Sequence, residues 1–208
     1  MKVSASFLSS NNVPKDLMKL DATDVDYIHV DFMDGKFVPN KTMPFREMKH
    51  IGEFTSKRLD VHLMVSEPSK YIPLFAELNT EYITFHIEVE ENIIEDLELI
   101  KKYGIKCGLA IKPNTKVSSL VPYLPYLDEV IIMSVEPGRG GQEFIAESES
   151  KIKEARELFD SYHVNPVINV DGGVTDSTVM LCKDADMVVA GSYIMKSDNF
   201  QEKISSLR

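Results

Sequence analysis

Tryptophan is absent from this 208-residue chain, and cysteine occurs only at Cys107 and Cys182. Two isolated thiols, neither in a CxxC pair, argue against a disulfide framework and point to a reducing compartment. Both read as small core residues. Long apolar runs are missing as well: no window approaches 18 uncharged apolar residues, and the N-terminal MKVSASFLSS has no extended apolar h-region. The expectation is a protein with no membrane span and no signal peptide, located in the cytoplasm. Positive charge is scarce, with 23 Lys and Arg against 33 Asp and Glu for a formal net charge of −10. Nucleic-acid affinity is built on clustered Lys and Arg, so no nucleic-acid partner is expected, and any phosphate bound has to be small and held locally. Linker-like and low-complexity segments are lacking too, which predicts one domain over residues 1–208.

What the chain does have is alternation. Short β-branched or apolar runs recur at 2–7 (KVSASF), 27–31 (YIHVD), 59–65 (LDVHLMV), 82–86 (YITFH), 106–111 (KCGLAI), 129–133 (EVIIM), 166–170 (PVINV) and 187–191 (MVVAG). These are eight strand candidates. Between them lie amphipathic stretches, clearest at 92–104 (NIIEDLELIKKYG), where Gly104 suits a C-cap, and at 147–163 (ESESKIKEARELFDSYH). Strand–helix alternation implies parallel strands joined by right-handed crossovers, and eight units favour a closed (β/α)8 TIM barrel over an open doubly wound sheet.

In such a barrel the chemistry gathers where strand C-termini meet the following loops. A polar residue late in an apolar run is therefore informative. The candidates are His29 and Asp31 on strand 2, His62 on strand 3, His86 followed by Glu88 on strand 4, and Asp171 at the end of strand 7. His29 and Asp31 are two apart, hence on one side of their strand. Two imidazoles and two carboxylates make a good donor set for a divalent transition ion. Met33, Met64 and Met133 share this geography and would form an apolar collar that keeps water away, although methionines at such spacing also serve as ordinary core filler.

Three turns are rich in glycine: PGRGGQ (137–142), DGG (171–173) and AGS (190–192). Successive free backbone N–H groups in such turns form an anion nest, and barrels commonly place a phosphate after strands 7 and 8. A small phosphorylated substrate is the expected ligand.

In order along the chain, HVDFMDGKFVPN, DVHLMV, FHIE, GLAIKPNT, MSVEPGRGGQEF, NVDGG and DMVVAGS resemble the ribulose-phosphate 3-epimerase family. The resemblance implies an isomerase of the pentose phosphate pathway, interconverting D-ribulose 5-phosphate and D-xylulose 5-phosphate through an enediolate. It also implies one divalent ion per chain, Zn, Fe, Co or Mn, and a homo-oligomer. His29, Asp31, His62 and Asp171 match the family's metal ligands, and Asp31 and Asp171 its acid/base pair. Ser6, His62, the three methionines, Gly138 and Gly140 match substrate contacts; Gly141, Gly172, Gly173, Gly191 and Ser192 match the phosphate site. Two departures stand out. The proline usual before Ser6 and the acidic residue usual after that strand are missing, and Arg139 replaces an aromatic residue common within PGxGGQ.

Epimerising a carbon beside a ketone means removing its proton from one face and returning one to the other, which two opposed carboxylates can do. Three alternatives use the same scaffold. One is epimerisation of another ketose phosphate; another is a class I aldolase with Lys112, at the end of strand 5, as Schiff-base lysine. The third is a phosphosugar-binding barrel without chemistry.

Overall fold

In a computed structural model that describes residues 1–89 and 92–208, eight parallel strands pair in chain order and close on themselves, β1 lying between β2 and β8. They are β1 (Lys2–Ser6), β2 (Tyr27–Met33), β3 (Leu59–Met64), β4 (Thr80–His86), β5 (Lys106–Ile111), β6 (Glu129–Met133), β7 (Val167–Asp171) and β8 (Met187–Ala190). Each coincides with a run expected from the sequence, with ends moved by no more than two residues. This is the (β/α)8 TIM barrel.

The crossovers are uneven. The helices are α1 (Val13–Asp21), α2 (Phe45–Met48), α3 (Ile72–Ala76), α4 (Ile93–Lys102), α5 (Ser148–Ser161), α6 (Ser192–Met195) and α7 (Phe200–Ser205). Helices α4 and α5 are the two amphipathic stretches, and Gly104 follows the C-cap of α4 with φ +74°. Helix α1 lies outside the two amphipathic stretches picked out from the sequence. Asn12 caps it by accepting the Lys15 N–H at 3.2 Å, and Leu17 and Leu20 are buried beneath it. Between β5 and β6 the chain runs as a 3-10 helix, Val117–Tyr126, because Pro122 and Pro125 lack the N–H an α-helix interior needs. Among the described residues no helix is long and apolar enough to cross a membrane.

Strand residues point alternately outward and inward. The outward set, with Val30, Leu63, Phe85, Ile111, Ile132 and Val170, packs against Leu17, Leu97, Ile152 and Phe159 of the helices in one continuous apolar shell. Truncating a side chain there, as in Leu97→Ala, costs about 2–5 kcal/mol. The inward set is different. Ser4, His29, Asp60, Thr84, Glu129 and Asn169 are fully buried and bonded to one another across the lumen. The barrel thus has an oily sleeve and a polar interior.

Candidate active site

At the C-terminal end of the strands, one nitrogen or oxygen from each of His29, Asp31, His62 and Asp171 lies within 4.8 Å of the others. Strand register produces this. Asp31 pairs with His62 across β2 and β3, and Asp171 ends β7 beside Met133 of β6. His29 Nε2 is 3.4 Å from Asp31 Oδ1 and 3.8 Å from Asp171 Oδ2; His62 Nδ1 is 3.4 Å and 3.5 Å from the same two oxygens. Both nitrogens are buried without a hydrogen-bond partner. Buried polar atoms are normally paired. Two orphaned imidazole nitrogens aimed with two carboxylates at one point fit a divalent cation, and zinc, iron, cobalt and manganese all accept such donors.

Electrostatics agree. Burial pushes both histidines toward the neutral form, but the acids outweigh it: Asp60 and Asp31 hold His29 well above its usual range, and Asp171 and Asp31 raise His62. Burial works against ionisation of Asp31, yet His29 and His62 hold its carboxyl far below the usual range. Ser6 adds a hydrogen bond, its Oγ donating to Asp31 Oδ2 at 2.8 Å.

Each imidazole is backed from its other side. His29 Nδ1 lies 2.8 Å from Asp60 Oδ2, an oxygen that also accepts Ser4 Oγ–H at 2.8 Å and Asn169 Nδ2–H at 3.3 Å. Asn169 donates in turn to Glu129 Oε1 at 3.1 Å, and Thr84 Oγ1 sits 2.6 Å from Glu129 Oε2. Burial and the nearby Asp60 push Glu129 up to about 8, so it carries a proton at neutral pH. His62 is backed differently: its Nε2 meets His86 Nε2 at 2.9 Å, and His86 Nδ1 meets Glu88 Oε2 at 3.1 Å. Burial drives His86 down to about 4. Burial also opposes charge on Glu88, but His86, Thr115 and the Lys112 N–H hold it at about 2.

Above the cluster opens a cavity of about 480 Å³. Ser6, Asp31, Met33, Met64, Met133 and Asp171 line its floor and walls, joined by the three glycine turns through Gly138, Gly140, Gly141, Gly172, Gly173, Gly191 and Ser192. His29 and His62 do not line it. Both are fully buried behind the acids, so His62, expected to touch substrate as well, presents no open surface there. Gly173 is required by geometry: φ is +65°, and a Cβ would come within 2.4 Å of Phe144 N. The turn after β6 therefore rests directly on the turn after β7. Arg139 is the cationic residue of the lining, which also includes Glu136 and Glu143 of the same loop.

The sequence signals the four convergent side chains and the cavity wall but not the polar layer below them. Asp60 and Asn169 lie two residues before His62 and Asp171, on the same strand face, and that spacing was the available clue. Ser4 stands likewise before Ser6.

Fold and centre together define a class: a (β/α)8-barrel enzyme with a two-histidine, two-aspartate centre at the mouth. The family described as ribulose-phosphate 3 epimerase matches residues 2–195. The ribulose-phosphate 3-epimerase of Helicobacter pylori is 37% identical over 212 residues, covering 100% of this chain and 97% of that protein. That of Synechocystis is 37% identical over 212 residues, covering 99% and 92%. Among solved structures, 3-hexulose-6-phosphate synthase from Salmonella typhimurium shares the fold, with a TM-score of 0.65 at 16% identity over 100% of this chain and 96% of that one. The chain belongs to the ribulose-phosphate 3-epimerase family and is by class an isomerase.

Proposed function

We propose that this protein epimerises D-ribulose 5-phosphate to D-xylulose 5-phosphate, with Asp31 and Asp171 exchanging protons with the carbon beside the ketone. The observation that carries this is the pair of partnerless imidazole nitrogens converging with the two acids beneath the cavity. The names of the full-length relatives support the choice of substrate. His29 Nε2, His62 Nδ1 and one oxygen from each aspartate would hold the metal. A divalent ion there supplies Lewis-acid stabilisation of the charge that develops on the sugar's oxygens, worth several kcal/mol.

Asp31 and Asp171 come from β2 and β7 and both reach the cavity, so one removes the proton from one face while the other delivers a proton to the opposite face. Ser6 Oγ–H and the two imidazoles keep Asp31 ionised and oriented. Met33, Met64 and Met133 exclude water from the reacting carbon. The glycine turns anchor the distal phosphate through backbone N–H groups, which fixes the carbon between the acids. Lys112 supports no Schiff-base route: it is absent from the cavity lining, and its Nζ lies 4.2 Å from the centroid of the Phe37 ring.

The test is turnover of D-ribulose 5-phosphate by metal-stripped protein, resupplied with Zn, Fe, Co or Mn in turn, in D2O. Activity that returns with metal and brings one solvent deuteron into C3 per turnover is expected. Full activity of the stripped chain overturns the metal assignment, and turnover without deuterium at C3 overturns the proton-transfer route.

A further inference from the structure

We propose that Glu88 is a positioning residue that acts through His86 to keep the proton of His62 on Nε2, leaving Nδ1 bare for a cation. This inference rests on the metal reading given above and assigns a role to two residues outside the ligand set. Two ring nitrogens 2.9 Å apart, His62 Nε2 and His86 Nε2, cannot both carry a proton in neutral rings; one donates and the other accepts. Which one donates is decided at the far end of the chain. His86 Nδ1 faces Glu88 Oε2 at 3.1 Å, and Glu88 Oε1 already accepts the Lys112 N–H at 2.8 Å and the Thr115 Oγ1–H at 2.5 Å.

A carboxylate fixed by two donors can only accept from His86, so the His86 proton sits on Nδ1. Its Nε2 is then an acceptor, and His62 has to donate from Nε2. The remaining nitrogen, His62 Nδ1, is the one aimed at Asp31 and Asp171. The relay therefore sets the tautomer of a ligand from two rings away, as second-sphere carboxylates do for directly bonded imidazoles. Phe37 covers the outer face of His86 at 4.7 Å between centroids and holds the ring in line.

Glu88→Gln is the discriminating variant. The Lys112 N–H is backbone and cannot move, so the amide oxygen turns to it and the NH2 group faces His86. His86 then has to accept at Nδ1 and carry its proton on Nε2, which denies His62 Nε2 its acceptor. With zinc as the probe, the expected result in wild-type protein is His62 protonated on Nε2 and His86 on Nδ1, read from imidazole 15N shifts. In the variant, the His86 proton should move to Nε2 and zinc affinity should fall by about 10–100-fold.

Either change without the other overturns the proposal; a loss of affinity with an unmoved tautomer is the mark of a merely structural role. Should the variant not fold, the wild-type shifts decide alone, and a His86 protonated on Nε2 overturns the relay. Wild-type protein that binds no zinc overturns the metal reading as well, whereas equal zinc binding by both proteins overturns the relay only.

Discussion

His29 and His62 aim at the same point from unlike surroundings. His29 leans on Asp60, a fully buried acid that Ser4 and Asn169 hold from the barrel interior. His62 leans on a second histidine, and the carboxylate behind it lies among the loops after β4 and β5, partly exposed. Removing an interior support disturbs folding and metal binding together, because buried donors lose their acceptor. Removing a support near the surface should disturb metal binding almost alone. The contrast teaches that one imidazole is fixed by the core and the other by a chain that reaches toward the solvent.

The acids that both imidazoles face come first in size. Asp31→Asn and Asp171→Asn should each lower turnover by about 10²–10⁴-fold in protein that keeps the wild-type far-UV circular dichroism. A variant that keeps a tenth of the activity removes that residue from the proton-transfer pair. Asp60→Ala should lower zinc affinity by about 10–100-fold, measured by chelator competition, and cost about 1–3 kcal/mol of stability as Ser4, His29 and Asn169 lose their shared acceptor. If affinity falls with no change in stability, the two supports are of one kind and the contrast fails.

Glu129 sharpens the interior side through pH. Below its ordinary pKa of 4.5 folded and unfolded chains both carry the proton; between there and about 8 only the folded chain does. Stability held by this group therefore declines as pH rises through that window. The stability of wild type relative to Glu129→Gln should fall by up to about 1.4 kcal/mol per pH unit, read by urea unfolding between pH 5 and 8. A flat difference across that range would place the Glu129 proton elsewhere. Smallest is Thr115→Val, which removes one of the two fixed donors to Glu88 Oε1 and leaves the Lys112 N–H. Zinc affinity should drop only a few-fold, about 0.5–1 kcal/mol, with the His86 tautomer unchanged.

Strand order and most of the centre were legible because parallel strands advertise themselves as short apolar runs, and because a charged residue at the end of such a run has few structural reasons to be there. His29, Asp31, His62 and Asp171 all announce themselves this way. The polar floor did not, although its members obey the same two-residue spacing. Asp60 is the second residue of the run LDVHLM and Glu129 the first of EVIIM, where a charge reads as the solvent-facing edge of a strand. Only closure of the barrel, which brings β3, β6 and β7 to a common axis, makes them neighbours. Helix α1 is only nine residues long, so its apolar positions Val13, Leu17 and Leu20 span under three turns, and in the 3-10 segment between β5 and β6 the prolines break any helical rhythm.

Gly108 carries a consequence for how this sequence can drift. A methyl group there would stand 2.4 Å from Thr84 Oγ1 and 2.8 Å from the Glu129 carbonyl. The space that glycine leaves is taken by the Thr84 hydroxyl and the β6 backbone, so even alanine at 108 requires both a different residue at 84 and a shift of the chain at 129. Three strands are thereby locked into one joint choice, and variation at this level of the barrel has to arrive in sets.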